Sequence, residues 1–154
     1  MNGYYSLLSQ LKTHFDTDVL TNTVTQGNIF AVDLGKQTIF PLVHIMVNQI
    51  TLNDNVLTAN VTLLCMDNVS QRKEEAPNNF ENADNEIDVL NTTFLILNRA
   101  FEKLKHGTMW DNMYKLRGAP TCEPFTERFE NYLAGWAMTF DVDYPNDMDV
   151  CQNG

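Results

Sequence analysis

The chain has 154 residues and a mass of 17.6 kDa, the size of one ordinary domain, in which a single core removes roughly 70% of the unfolded chain's surface from water. Apolar residues make up 44% and charged residues 19%, which excludes both a disordered acidic tail and a highly charged helical rod. Twenty acidic against ten basic residues give a formal charge of -10, a field that repels phosphate backbones and argues against general nucleic-acid binding.

The opening segment MNGYYSLLSQLKTHF has no basic stretch followed by a long apolar run, and no window reaches about 18 uninterrupted apolar residues, so neither a secreted precursor nor a membrane span is expected. Tyr4, Leu7, Leu8, Leu11 and Phe15 recur at helical spacing, predicting a short helix that ends near Phe15 or Asp16. Residues 18–28, rich in Thr and Asn, read as an irregular connection, and the apolar run at 29–34 as a first short strand closed by Gly35 and Lys36.

From Phe40 to Leu52, Val43, Ile45 and Val47 fall on one parity and Leu42, His44, Met46 and Asn48 on the other. After the polar turn Asn53, Asp54, Asn55, the residues Leu57, Ala59, Val61, Leu63 and Cys65 alternate with Thr58, Asn60 and Thr62. That period of two predicts a long antiparallel hairpin with one buried face. Residues 67–85, carrying Gln71, Arg72, Lys73, Glu74, Glu75 and Pro77, offer no apolar face and are expected to form a mobile or partner-ordered loop.

The clearest helix starts at 84–86, with a stripe of Ile87, Leu90, Phe94, Leu97, Phe101 and Leu104 widened by Val89, Leu95 and Ile96. His106 and Gly107 stop it, with Lys103 and Lys105 near the negative end of its dipole. Met109, Trp110, Met113, Tyr114 and Leu116 form an aromatic-rich segment ended by Gly118, Ala119 and Pro120, and 122–129 is open between strand and short helix. Tyr132, Ala134, Trp136, Met138, Phe140, Val142 and Tyr144 then define a late strand with its aromatic parity facing the core, stopped by Pro145 and followed by an exposed acidic tail at 146–154.

These elements compose one α+β domain spanning 1–154, an antiparallel sheet with a long β-hairpin packed against an amphipathic helix, plus an amino-terminal helix. Nothing in the pattern specifies catalysis. Ser6, Ser9 and Ser70 lie in no GxSxG, there is no GxGxxG or GxxxxGK[ST], and His14, His44 and His106 form no HExxH. Cys65, Cys122 and Cys151 are an odd set without CxxC; Cys65 reads as a small core residue and a reducing compartment as the simpler setting. Counted as an EF-hand loop from Asp141, the run Asp141, Asp143, Asp147, Asp149 has Asn146 where Gly is needed and Gln152 where Glu is needed. Glu123, Glu127 and Glu130 would approach one another only on a helix. The basic groups Arg72 with Lys73, Arg99 with Lys103 and Lys105, and Lys115 with Arg117 read as solvated charge, and the NxS/T triplets at Asn60, Asn68 and Asn91 as accidental. No catalytic residue, metal site or cofactor is therefore expected.

The order of helix, hairpin TIFPLVHIMVNQITLNDNVLTANVTLLCMD, amphipathic helix and closing strand NYLAGWAMTFDVDYP resembles small tailed-bacteriophage proteins of the tail terminator, tail completion and head-to-tail connector kind. The resemblance implies a ring-forming structural subunit of the virion neck or tail, assembled in the host cytoplasm, with copies of itself and portal, connector or tail-tube proteins as partners. It implies DNA passing through without specific binding, and no membrane. Carried onto this chain, it makes the turn Asn53, Asp54, Asn55 and the loop residues Arg72, Lys73, Glu74 and Glu75 the candidate protein contacts. The alternative is a protein-binding adaptor outside a virion, without catalytic activity.

Overall fold

A computed structural model of the chain describes residues 3–27, 39–70, 85–106, 114–128 and 132–146. These form helices α1 (Tyr4–Thr17) and α2 (Glu86–His106) and strands β1 (Thr23–Gln26), β2 (Leu42–Leu52), β3 (Val56–Asn68), β4 (Lys115–Arg128) and β5 (Tyr132–Pro145). The strands make one sheet in the order β1-β2-β3-β5-β4. β1 runs parallel to β2 and every other pairing is antiparallel, so the α+β class and the hairpin are as the sequence predicts.

One parity of each long strand meets both helices in a single core. Leu7, Leu11 and Phe15 of α1 and Ile96, Leu97, Ala100 and Leu104 of α2 join Val43, Ile45, Val61, Leu63, Phe140 and Val142. Both helices therefore cover one face of the sheet. Each fully buried Leu, Ile or Phe there contributes about 1.5–3 kcal/mol by leaving water. Cys65 belongs to this core, and burial pushes its thiol well above the ordinary range. At the end away from the hairpin turn, the opposite face carries a smaller apolar cluster of Phe40, Leu42, Met66 and Leu133.

The buried stripe of α2 is rotated from the predicted one. Val89, Thr93, Ile96, Leu97, Ala100 and Leu104 face inward, while Ile87 and Phe94 are exposed. Thr93 tolerates full burial because its hydroxyl donates to the Val89 carbonyl at 2.8 Å, and with Ala100 it gives the sheet a slim side of the helix to pack on.

Three further expectations are corrected. The 18–28 connection contains β1, whose register against β2 runs Thr23↔Leu42 to Gln26↔Ile45. Gly118, Ala119 and Pro120 do not end a segment; they lie inside β4, where the register against β5 shifts between Arg117 and Thr121 and Gly118 takes φ +75°. The 122–129 ambiguity resolves as strand up to Arg128, and β3 continues to Asn68, so the loop begins later than 67. The strand expected at 29–34 lies outside the described residues, as do 71–84 and all of the tail beyond Asn146.

β1 is fastened by a buried histidine. His44 Nε2 donates to the Gly27 carbonyl at 2.8 Å, and Nδ1 accepts from the Thr25 hydroxyl at 2.7 Å, which is the neutral tautomer fully used. Burial lowers the His44 pKa, opposed by the Gly27 hydrogen bond. His14, which lines an open groove with Arg99 and Lys103 of α2, is lowered for the same leading reason, opposed by Asp18. A histidine whose folded pKa lies below its unfolded value contributes stability that is full above about pH 6.5 and is lost as pH falls toward the folded pKa. Urea denaturation should therefore show lower stability at pH 5.5 than at pH 7.5, and His44→Gln should flatten part of that slope. An equal slope in the variant would remove His44 from the account.

Candidate functional site

The hairpin turn is exposed at the end of the sheet and is held in shape from two sides. The Asn53 amide donates to the Val56 carbonyl at 3.2 Å, closing the turn. Asn146, just past β5, gives its backbone N–H to the Asn55 carbonyl at 3.0 Å and its side-chain amide to the Asn53 carbonyl at 3.1 Å. The turn is thus braced by a third stretch of chain while Asn53, Asp54 and Asn55 stay exposed.

Below the turn, the face of the sheet away from the helices is a field of cross-strand hydrogen bonds. Strand alternation dictates it: Thr58, Asn60 and Thr62 point opposite to Leu57, Ala59, Val61 and Leu63, and Thr139, Asp141 and Asp143 do the same on β5. Register then sets Thr58 against Asp143 and Asn60 against Asp141. Thr58 donates to Asp143 at 2.6 Å and Asn60 to Asp141 at 2.8 Å. Asn48 donates to both Asn60 and Thr62 at 2.8 Å, and Arg117 Nε lies 3.1 Å from each Asp143 oxygen. Gln49, Thr51, Asn53, Thr58, Asn60, Arg117 and Asp141 line a shallow depression of about 250 Å³.

Chemically this patch offers amides, hydroxyls, two carboxylates and a guanidinium. Such a set recognises polar backbone and side-chain groups; it does not supply an activated nucleophile. Among the described residues, no three His, Cys, Asp or Glu side chains gather to hold a metal ion, and no helix is long and apolar enough to cross a membrane. Of the four aspartates weighed as a cation loop, Asp141 and Asp143 are strand residues held by Asn60, Thr58 and Arg117, and Asp147 and Asp149 lie outside the described residues. Glu123 and Glu127 belong to strand β4 rather than to the helix that their spacing would need, and Glu130 lies outside the described residues.

Sequence reasoning placed Asn53, Asp54 and Asn55 correctly on an exposed turn. Arg72, Lys73, Glu74 and Glu75 lie outside the described residues. It missed Asn60, Arg117 and Asn146 as partners of that turn and of the face beneath it. The available signal was Asn60 recurring on the polar parity of β3 opposite an aspartate on β5.

Apolar surface accompanies the polar face. Phe94 is 41% exposed on α2 and lies 5.4 Å, centroid to centroid, from Trp136. Phe101, Leu104, Leu116, Gly118 and Ala119 line an open groove of about 730 Å³ between the end of α2 and β4. Leu52, beside the turn, is 76% exposed. Comparison with protein-family models and with curated protein sequences gives no match.

Proposed function

We propose that this chain is a virion structural protein of a tailed bacteriophage, a ring-forming subunit at the neck or tail end that joins head and tail or terminates the tail tube. The observation that carries the reading is the hairpin tip, exposed at Asn53, Asp54 and Asn55 yet braced by Asn146. A preorganised turn loses little freedom when it docks, which suits a repeated assembly contact. The exposed Phe94 and Leu52 add apolar area of the kind that neighbouring subunits cover. In a closed ring the same heterologous contact repeats until the rotation returns to its start. The work of the protein lies in these contacts, without catalysis or a cofactor, and DNA passes the ring without specific binding.

The test is the tip variant Asp54→Lys. An exposed substitution of this kind changes stability by no more than about 0.5 kcal/mol. The expected result is an unchanged Tm with assembly into rings or particles reduced at least tenfold, read by sedimentation velocity. Undiminished assembly would remove the tip from the interface. A discrete one-to-one complex with a host protein, and no closed species, would favour the adaptor reading.

A further inference from the structure

Most cations of the described residues are engaged within the chain. Lys12 pairs with Asp16, Arg117 pairs with Asp143, and Lys105 lies 5.5 Å from the centre of the Phe101 ring. Lys103 stands apart: it is exposed, and among the described residues it makes no ion pair, hydrogen bond or ring contact. Its neighbour Arg99 reaches Asp18 at 3.4 Å, and that carboxylate is buried and also accepts the Leu20 N–H at 2.8 Å. Lys103 and Arg99 line an open groove of about 420 Å³ between the end of α1 and α2, together with His14, Thr17, Val19 and Asn98. Val19 is 87% exposed there, and His14 Nε2 is shielded from solvent without a hydrogen-bond partner. The groove therefore holds an unpaired ammonium, an uncovered apolar side chain and an unused ring nitrogen.

The hairpin turn carries the complement. Asp54 is exposed and, among the described residues, has neither a hydrogen bond nor an ion pair, and Leu52 beside it is 76% exposed. Other exposed acids suit a groove less well. Asp88 lies in the first turn of α2, where the helix's own N–H ends attract it, and Glu123 sits within strand β4. Turn and groove are also separate patches of one copy. Ser6 of α1 meets Tyr114 at 2.8 Å, Tyr114 stacks on Tyr144, and Tyr144 is opposite Leu57 just past the turn, so α1 begins at the turn's end of the sheet. His14 to Asp18 follow about 12–18 Å further along the helix axis.

We infer, resting on the ring reading above, that the hairpin turn of one copy docks in the α1–α2 groove of the next, with Asp54 paired to Lys103 and Arg99 and Leu52 laid against Val19. The sequence selects this occupant by matching turn to groove at two points, acid to base and apolar to apolar. A chain of net charge -10 repels its own copies, and an acid meeting an unpaired cation offsets that repulsion where the copies touch. Because the two patches differ, the contact is heterologous, the kind that repeats around a ring. Glu102 also lines the groove and opposes Asp54, so Glu102→Gln should tighten assembly.

Sedimentation velocity of the full chain tests the pairing by charge exchange. Asp54→Lys and Lys103→Glu should each lower assembly about tenfold or more, and the double exchange Asp54→Lys/Lys103→Glu should return it to within about threefold of wild type. Lys103→Gln removes the cation without placing an acid at the negative end of α2, and it should also weaken assembly while leaving the Tm nearly unchanged. Recovery in the double exchange supports the contact. Undiminished assembly of both Lys103 variants, or single losses that the double exchange does not repair, overturns the groove as the receiver and leaves the ring reading standing. A wild type that never assembles overturns both.

Discussion

Gly135→Ala should lower the unfolding free energy by about 3 kcal/mol or more and the Tm by roughly 6–12 °C. Gly135 lies in β5 between Met66 of β3 and Phe125 of β4. A Cβ at this position would run into the Cys65 carbonyl oxygen and carbon and the Met66 Cα. All three are backbone atoms, so no side-chain rotation relieves the overlap; the β3–β5 ladder itself must shift. That ladder is the centre of the sheet and carries both the main core and the polar face. Urea denaturation followed by circular dichroism measures the loss. A variant within about 0.5 kcal/mol of wild type would mean that the two central strands do not approach as closely as described.

Trp136→Ala should cost about 2–4 kcal/mol, while Phe94→Ala should cost about 1 kcal/mol or less, although the sequence suggests comparable structural roles for the two. Trp136 packs against the main core from β5 and donates its indole N–H to the Leu90 carbonyl at 2.8 Å, so it fixes the helix to the sheet by packing and by a directed bond. Phe94 meets the indole only in a tilted ring contact, 5.4 Å between centroids, and remains 41% exposed. A double-mutant cycle should give a coupling of about 0.5–1.5 kcal/mol for the ring pair. Equal losses from the two single variants would contradict the orientation of α2. Phe94→Ala also bears on assembly: a fall in ring formation without a matching fall in Tm would place that ring at an interface.

What the sequence made legible was whatever repeated with a clean period. Leu57, Ala59, Val61, Leu63 and Cys65 announced β3 because one face of that strand meets the core at every second residue. The late strand was visible for the same reason. α2 was found, but its inward direction was not, since the apolar count favours Ile87 and Phe94 over Thr93 and Ala100. Packing reversed that order by preferring a slim contact surface with a self-satisfied hydroxyl. β1 was hidden because Thr23, Val24, Thr25 and Gln26 have little alternation of their own; pairing with β2 and the His44 clamp make them a strand. β4 was hidden by Gly118 and Pro120, which signal a turn locally but sit at an irregularity on an edge strand, where both are tolerated.

The polar face was the least legible feature. Thr58, Asn60, Asp141, Asp143 and Arg117 come from three strands, and only register brings them together. Read along the chain, Asp141 and Asp143 fail as a cation loop and pass for solvated acids, and Arg117 for a solvated charge. Read across the sheet, they are neighbours that largely satisfy one another. The turn at Asn53, Asp54 and Asn55 was easier, because an uncharged alternating run on either side of a polar triplet leaves little else for it to be. Its brace from Asn146 was not, since nothing local links residues so far apart in sequence.

The central claim is that this chain closes into a ring, and native mass spectrometry of the purified wild type across a concentration series tests it most directly. The account predicts one discrete closed species that persists on dilution until it falls apart cooperatively. A chain that remains monomeric or dimeric at every concentration, and stays so when mixed with portal and tail-tube assemblies, would contradict it.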